Sequence, residues 1–211
     1  MIIKVGRNFA TKNLAPGNSV YGEALIKRKG EEFRVWDPKR SKVGAALMKG
    51  MKIPLKERHM VLYLGVASGT TASHLSDLLT EGMLFGVDFA PRVLREFILL
   101  SEVRKNLVPI MADANKPQDY RWLVPGVDFI FQDVAQPNQA QILIKNAKTF
   151  LKKGGLVFVA VKSRSIDVTK KPGDVFRQFK KEIKDAGFTV VDEKRLEPFE
   201  KDHLALLLKM K

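Results

Sequence analysis

The sequence of 211 residues contains no cysteine. This absence excludes a disulfide framework, thiolate zinc sites, iron–sulfur clusters and a cysteine nucleophile. The three histidines, His59, His74 and His203, lack the spacing of metal ligands and the carboxylates are dispersed, so we expect no metal site. The longest unbroken apolar run, 156–161, has six residues, far too few to cross a membrane. Because no apolar signal-peptide segment opens the chain, we expect a cytoplasmic protein without a membrane partner.

Acidic residues are scarce relative to basic ones. The chain has 37 Lys and Arg against 23 Asp and Glu, and its first 60 residues alone hold 14 basic and 5 acidic side chains. A positive potential attracts polyanions and speeds their encounter, so nucleic-acid binding is favoured. A heat-adapted surface would normally mix both signs of charge. An anionic membrane surface is disfavoured because no stretch combines a basic face with a long apolar face.

Residues 1–54 are predicted to form a small, basic, β-rich N-terminal domain. Segments 24–26 and 31–36 flank the turn 27–30, where Gly30 suits a positive φ in a hairpin. Ser41 is a candidate N-cap for a short helix. The Gly- and Pro-containing stretch 50–54 then marks the expected boundary with a second domain, 55–211.

From residue 60 onward, short apolar strands alternate with amphipathic helices. This alternation predicts an α/β domain whose mostly parallel sheet is covered on both faces. Segments 187–191 and 203–209 have no helix between them, which predicts an antiparallel hairpin at one edge. The expected strands are 61–64, 83–87, 107–110, 127–131 and 156–161, and the expected helices are 71–80, 91–103, 138–150 and 173–185.

A glycine-containing loop joins the first of these strands to its helix. Gly65, Ala67 and Gly69 allow a tight turn and close approach of a ligand, and Thr70 or Thr71 is expected to cap the helix. The G-x-A-x-G pattern differs from the dinucleotide fingerprint and lacks the lysine of a phosphate-binding loop. A plain strand-to-helix turn explains this loop equally well when it is taken alone.

Acidic residues follow the next two strands. Asp88 can accept hydrogen bonds from ribose hydroxyls, and Asp113 with Ala114 can contact an adenine edge. As isolated residues they would more often be helix caps, but as a set with the glycine loop they favour an adenosine-containing cofactor. S-adenosylmethionine (SAM) fits this set because it needs no cradle for a pyrophosphate.

Asp133, Lys162 and His203 are the candidate catalytic residues. Asp133 and Lys162 follow strands whose carboxyl ends meet at the ligand-binding edge of an open α/β sheet, and His203 begins the expected antiparallel strand. Lys42 could complete the cluster. Such a cluster suits a ribose hydroxyl: a desolvated lysine next to another cation can become a base, and an aspartate can orient it or the hydroxyl.

Five sequence blocks resemble fibrillarin, in order and over nearly the whole chain. They are 36–42 (WDP…RSK), 63–71 (YLGVASGTT), 133–139 (DVAQPNQ), 160–167 (AVKSRSID) and 197–203 (EPFEKDH). The chain has no Gly/Arg-rich extension and is therefore most similar to the archaeal form. The family commonly has Glu-Phe-Ser where this chain has Asp88-Phe89-Ala90, so we expect a longer or water-mediated ribose contact.

This resemblance implies a Rossmann-like SAM-dependent methyltransferase that modifies the ribose 2′-hydroxyl of rRNA or tRNA. The resemblance also implies that the protein acts within a box C/D ribonucleoprotein. Its implied partners are a guide RNA, a target RNA, a Nop-type scaffold protein and a kink-turn-binding ribosomal-type protein. The implied catalytic residues are Lys42, Asp133, Lys162 and His203. The implied cofactor-binding residues are Gly65, Ala67, Gly69, Thr70, Thr71, Asp88, Phe89, Asp113, Ala114, Asp133 and Gln136.

Three other functions stay open from sequence. A non-catalytic RNA-binding subunit would bind RNA without SAM. A stand-alone methyltransferase would act on another nucleophile or on naked RNA. An NAD-dependent oxidoreductase is the least favoured, because the second glycine of the dinucleotide fingerprint is missing.

Overall fold

A computed structural model describes residues 1–210 of the chain. Its N-terminal part is a four-stranded antiparallel sheet in the order β1-β2-β4-β3. The strands are β1 (Ile2–Val5), β2 (Asn8–Lys12), β3 (Leu25–Arg28) and β4 (Glu31–Trp36). Lys29 and Gly30 connect β3 to β4 with φ values of 52° and 81°, the twist-matched geometry of a two-residue hairpin. The hairpin predicted at Gly30 is therefore present.

Helix α1 (Lys42–Met48) follows this sheet. The Ser41 hydroxyl accepts a hydrogen bond from the Gly44 backbone N–H at 3.1 Å, which satisfies one of the free donors of the first turn. Five consecutive residues of α1, from Val43 to Leu47, are buried. The predicted cap is confirmed, and the helix belongs to the protein core rather than to its surface.

The rest of the chain forms a seven-stranded sheet in the order β10-β11-β9-β8-β5-β6-β7. Strands β5 to β9 are parallel, and β11 runs antiparallel to both β9 and β10. The Rossmann-like fold class and the antiparallel terminal pair are confirmed. The strands are β5 (Met60–Leu64), β6 (Met83–Asp88), β7 (Leu107–Met111), β8 (Val127–Gln132), β9 (Leu151–Lys162), β10 (Phe188–Arg195) and β11 (His203–Met210).

The helices connect these strands over both faces of the sheet. Three differences from the predicted elements concern length: the first helix ends at Ser76 rather than at 80, β9 begins five residues earlier than expected, at Leu151, and β10 extends to Arg195 rather than to 191. The helices are α2 (Thr70–Ser76), α3 (Pro91–Val103), α4 (Gln139–Phe150), α5 (Ser163–Ile166) and α6 (Pro172–Asp185), with a 3₁₀ turn at Pro117–Tyr120.

Alternate residues of each strand point into two separate apolar layers. Val159 and Val161 of β9 belong to the layer with α4 and α6, whereas Phe158 and Ala160 belong to the layer with α1 and α2. Trp36, at the end of β4, lies in this second layer. The N-terminal segment thus shares a core with the larger sheet, and a domain boundary near residue 54 stays a prediction.

A buried polar network fixes the four-stranded sheet to α2 and α3. The carboxylate of Asp77 accepts hydrogen bonds from Arg34 at 2.9 Å, Arg104 at 2.5 Å and the Thr11 hydroxyl at 2.7 Å. All four side chains are almost completely buried. Charges removed from water need such partners, so the network stabilises one relative placement of the two sheets.

No helix among residues 1–210 is both long enough and apolar enough to span a bilayer.

Candidate active site

A cavity of about 350 Å³ opens at the carboxyl ends of β5, β6, β7 and β8. This volume falls within the range usual for small-molecule sites, and the position is the one where open α/β sheets bind ligands. Eight of the eleven predicted cofactor-binding residues line it: Gly65, Ala67, Asp88, Phe89, Asp113, Ala114, Asp133 and Gln136.

Gly65 is required by the close approach of two chain segments. A Cβ atom at this position would lie 2.4 Å from the carbonyl oxygen of Asp133, and the residue has a φ of +78°. The Asp133 N–H donates to the Leu64 carbonyl at 2.9 Å, which holds the two segments together. The absence of a side chain at 65 therefore lets Asp133 sit at the cavity wall.

Asp88 fixes the shape of the glycine loop. Its two carboxylate oxygens accept hydrogen bonds from the backbone N–H of Ala67, at 2.9 Å, and of Ala90, at 3.0 Å. Ala67 has a φ of +49°, a conformation that non-glycine residues seldom adopt away from functional sites. Since a carboxylate has about four acceptor positions, Asp88 can still accept from ribose hydroxyls.

A second carboxylate and an aromatic ring also line the cavity. Asp113 accepts from the backbone N–H and the side-chain amide of Asn115. The backbone hydrogen bond lowers the pKa of Asp113 most, so the group stays ionised at neutral pH. Phe89 lines the same cavity, and 60% of its surface is exposed, which is unusual for a large apolar side chain. A planar ring of a bound ligand could stack on it and cover that surface.

Three predicted cofactor residues do not line the cavity. Gly69 packs against α3, where an added Cβ would lie 2.5 Å from the Phe97 ring. Thr71 is buried and its hydroxyl donates to Ser41 at 2.9 Å. Thr70 lies in a separate surface groove, beside Arg40 and Leu99.

The predicted threonine cap of α2 is wrong. Gly69, in the left-handed conformation, is the N-cap residue, and no side chain hydrogen-bonds to the first turn. Thr70 and Thr71 are already inside the helix, where their hydroxyls are beyond the capping position.

The four predicted catalytic residues share one face and one end of the large sheet. Asp133 continues the alternation of Phe129 and Phe131, and Lys162 continues that of Phe158 and Ala160, all on the α1 side. His203 is paired with Lys162 across β11 and β9. Lys42 begins α1, which covers this face.

Lys162 and His203 are direct neighbours. The Ser163 N–H donates to the carbonyl of Asp202, the residue opposite, so the next pair, Lys162 and His203, is of the non-hydrogen-bonded kind. In such pairs the Cα atoms are about 4.5 Å apart and the side chains are close together on the same face. The predicted convergence of these two residues at the rim is therefore present.

Lys42 and Asp133 form an ion pair, with 2.9 Å between Nζ and Oδ2. Burial alone would lower the pKa of Lys42, but the charge of Asp133, the hydrogen bond to it and the charge of Glu200 outweigh burial and raise that pKa. Lys42 is therefore a permanent cation rather than a base. Asp133 joins the two parts of the site, because it also lines the cavity.

His203 is buried in a defined tautomer. Its Nδ1 lies 2.7 Å from the carbonyl oxygen of Lys201, which can only accept, so Nδ1 carries the proton. In the neutral ring Nε2 is then the acceptor, and within residues 1–210 it is buried and has no hydrogen-bond partner. In that form it can accept a hydrogen bond from a group placed next to it.

Sequence reasoning missed several residues of the cavity wall. Asn115 orders Asp113, and Val134 and Ala135 complete the wall between Asp133 and Gln136. The only signal for them was their position next to predicted residues. In the part of the chain that the structure covers, no group of three His, Asp or Glu side chains is arranged to hold a metal ion.

The fold and the cavity together define a Rossmann-like methyltransferase domain. A family model described as Fibrillarin matches residues 2–211. The chain belongs to the fibrillarin family, as its motifs predicted.

Archaeal proteins are similar to this chain over most of its length. It is 59% identical over 202 residues to the fibrillarin-like rRNA/tRNA 2′-O-methyltransferase of Pyrococcus abyssi, covering 95% of this chain and 88% of the relative. A crystal structure of Aeropyrum pernix fibrillarin with natively bound S-adenosyl-L-methionine superimposes with a TM-score of 0.90 at 46% identity, covering 98% and 92% of the chains. The crystal structure of a fibrillarin/Nop5p complex superimposes with a TM-score of 0.92 at 38% identity, covering 100% of this chain and 97% of the matched chain.

Proposed function

We propose that this protein transfers a methyl group from SAM to the ribose 2′-hydroxyl of rRNA or tRNA. The observation that carries the proposal is the position of Asp133, which lines the cofactor cavity and pairs with Lys42 at the rim that holds Lys162 and His203. The donor site and the acceptor site therefore meet at one residue. The matched relatives bear the name of this activity.

The cavity residues fit SAM. Asp88 and Asp113 would accept hydrogen bonds from the ribose and the adenine amine, and Phe89 would cover the adenine ring. The neutral wall around Ala112 and Ala114 suits the apolar part of the cofactor. When bound, SAM supplies an electrophilic methyl group on a sulfonium.

The rim residues prepare the hydroxyl. Lys162 acts as the base in its neutral form, and a substrate interface that excludes water favours a neutral amine over a charged one. Asp133 accepts a hydrogen bond from the hydroxyl or orients it, the neutral amine of Lys162 takes the proton of the hydroxyl, and the Nε2 of His203 can accept a hydrogen bond from Lys162. Alignment of the nucleophile supplies a large share of the rate, since in-line displacement depends on approach geometry.

The partners are also part of the proposal. A fibrillarin/Nop5p complex has the fold of this chain over its whole length, which supports a Nop-type scaffold protein as direct partner. The guide RNA, the target RNA and the kink-turn-binding protein follow from the box C/D resemblance, and the net charge of +14 supports RNA contact. Location in the cytoplasm stays a prediction, to be tested by cell fractionation.

The experiment is transfer of labelled methyl from SAM in the particle assembled with scaffold protein, kink-turn-binding protein and guide RNA. Asp133→Asn and Lys162→Met should lose at least about 100-fold in kcat while SAM binding by Lys162→Met stays normal. Lys180→Met, at a surface ion pair with Glu193, is the matched control and should keep full activity. Full activity of Lys162→Met would remove Lys162 from the site.

The alternative functions predict different experimental outcomes. A vestigial pocket predicts no heat of SAM binding in calorimetry. A stand-alone enzyme predicts methylation of naked RNA without the partner proteins and the guide.

A further inference from the structure

The backbone of Lys162 faces a gap in the sheet. Because Lys162 and His203 are a non-hydrogen-bonded pair, the N–H and C=O of Lys162 point away from β11 and toward β8. Strand β8 ends at Gln132, which pairs with Val159, three residues before Lys162. The last residue of β9 therefore has no strand partner on this side.

The side-chain amide of Gln139 fills this gap. Its Nε2 donates to the Lys162 carbonyl and its Oε1 accepts from the Lys162 N–H, both at 3.3 Å. This two-point contact reproduces the pairing that a further residue of β8 would supply. It also fixes the orientation of the amide, since the N–H needs an acceptor and the carbonyl needs a donor.

Gln139 is itself held in place. It is completely buried at the first position of α4, and Gln132 Nε2 donates to its backbone carbonyl at 2.8 Å. Two buried amides thus connect the end of β8 to the end of β9. The contact reaches only the backbone of Lys162, whose side chain stays exposed at the rim.

We propose that Gln139 is a positioning residue that sets the direction of the Lys162 side chain by clamping its backbone at the end of β9. This inference rests on the proposed function, in which Lys162 accepts the proton of the ribose hydroxyl. Gln139 contributes nothing to the reacting atoms directly. Without the clamp, the last residue of β9 can rotate and the ammonium leaves its productive position.

The first test measures the clamp without any catalysis. Gln139→Met removes both hydrogen bonds at nearly the same volume, and amide hydrogen exchange is read residue by residue. The Lys162 amide should exchange at least about tenfold faster, whereas the Ser163 amide, bonded to Asp202, should keep its rate. Unchanged exchange at Lys162 would overturn the proposal.

The second test uses the assembled particle. Gln139→Met should lower kcat about 10- to 100-fold, with the affinity for SAM within twofold of wild type. Gln141→Met is the matched control: it removes an exposed amide of the same helix that bonds Glu182, and it should leave kcat unchanged. Equal losses in kcat and SAM affinity would indicate a general structural role and overturn the proposal.

A third variant provides rescue. Gln139→Glu restores one donor and one acceptor while its carboxyl is protonated, and loses the donor when it ionises. The activity of this variant relative to wild type should fall as pH rises. Taking the ratio to wild type removes the pH dependence that both proteins share. A ratio that is independent of pH would contradict the clamp.

Failure of the underlying function has a different signature. If Lys162→Met keeps full activity, the assignment of Lys162 fails. If Lys162→Met is inactive and Gln139→Met is fully active, only the role of Gln139 fails.

Discussion

The Cα of Gly65 lies so close to Asp133 that a methyl group on it would reach within 2.4 Å of the Asp133 carbonyl oxygen. Two segments far apart in sequence are therefore locked together at the point where cavity and rim meet. Any side chain at 65 must move Asp133, its ion pair with Lys42, or both.

The substitution Gly65→Ala should lower methyl transfer by about 100-fold, because a displacement near 1 Å at a reacting group costs that much. Gly154 has the same φ of +78° but open space around it, so Gly154→Ala is a control for backbone strain alone. Both variants should lose about 1–2 kcal/mol of stability through strain, with a further loss in Gly65→Ala. Comparable activity of the two variants would contradict the proposed contact.

Removing Asp77 should weaken the link between the N-terminal sheet and the large sheet. Asp77→Ala leaves the buried Arg104 without an acidic partner and leaves Arg34 with Glu23 alone, which costs about 3–5 kcal/mol in unfolding free energy. Asp174→Asn breaks the exposed pair with Arg177 and should cost less than about 1 kcal/mol. Urea denaturation measures both, and similar losses would show that the buried network is not the main link.

His74 should make the protein less stable in mild acid. It lies between Thr11 and Tyr21 and stacks on Trp36, and burial lowers its pKa well below the ordinary value, as do Arg34 and Arg104. The folded state thus keeps His74 neutral, whereas the unfolded state takes up a proton near pH 6.5. The contribution of neutral His74 to the free energy of unfolding is therefore complete above about pH 6.5 and is lost as the pH falls below that value.

The check for His74 compares urea unfolding at pH 7.5 and 5.5. His74→Gln should be less stable than wild type at pH 7.5 but should lose less on acidification. His59→Gln is the control: its pKa is also lowered, chiefly by burial, but that burial is only partial, so a smaller difference is expected. Identical pH dependence in His74→Gln and wild type would show that another group is responsible.

The ion pair of Lys42 with Asp133 should persist throughout the working pH range. Since the folded state raises the pKa of Lys42, its stabilising contribution is complete below about pH 10.4 and is lost only as pH rises above that value. Lys42→Met should cost about 1 kcal/mol or less of stability, because the pair is partly exposed, but at least about tenfold in kcat. Differential scanning calorimetry and the methylation assay separate the two effects.

Sequence reasoning succeeded where local pattern decides structure. Apolar runs followed by amphipathic helices predicted the parallel sheet. Ser41 predicted the N-cap of α1, and Gly30 predicted the turn between β3 and β4. The residues at strand ends, such as Asp88 and Asp133, could be placed at the cavity because all parallel strands end at one edge.

Sequence reasoning failed where long-range packing decides structure. Gly69 rather than a threonine caps α2 and packs against Phe97, and Thr71 is bonded to Ser41, thirty positions away. The clamp by Gln139 depends on where β8 ends relative to β9, a register that no local pattern encodes. The buried ion pairs of Asp77 likewise could not be predicted from the hydrophobic periodicity of the sequence.

Helix α1 gives the molecule a property that neither sheet has alone. Lys42 lies at the rim, and the next five residues of α1 are buried in the core, so the backbone of Lys42 is held in place by the packing of the helix. A scaffold protein that bound the outer surface of the small sheet would therefore also position the end of α1 that carries Lys42.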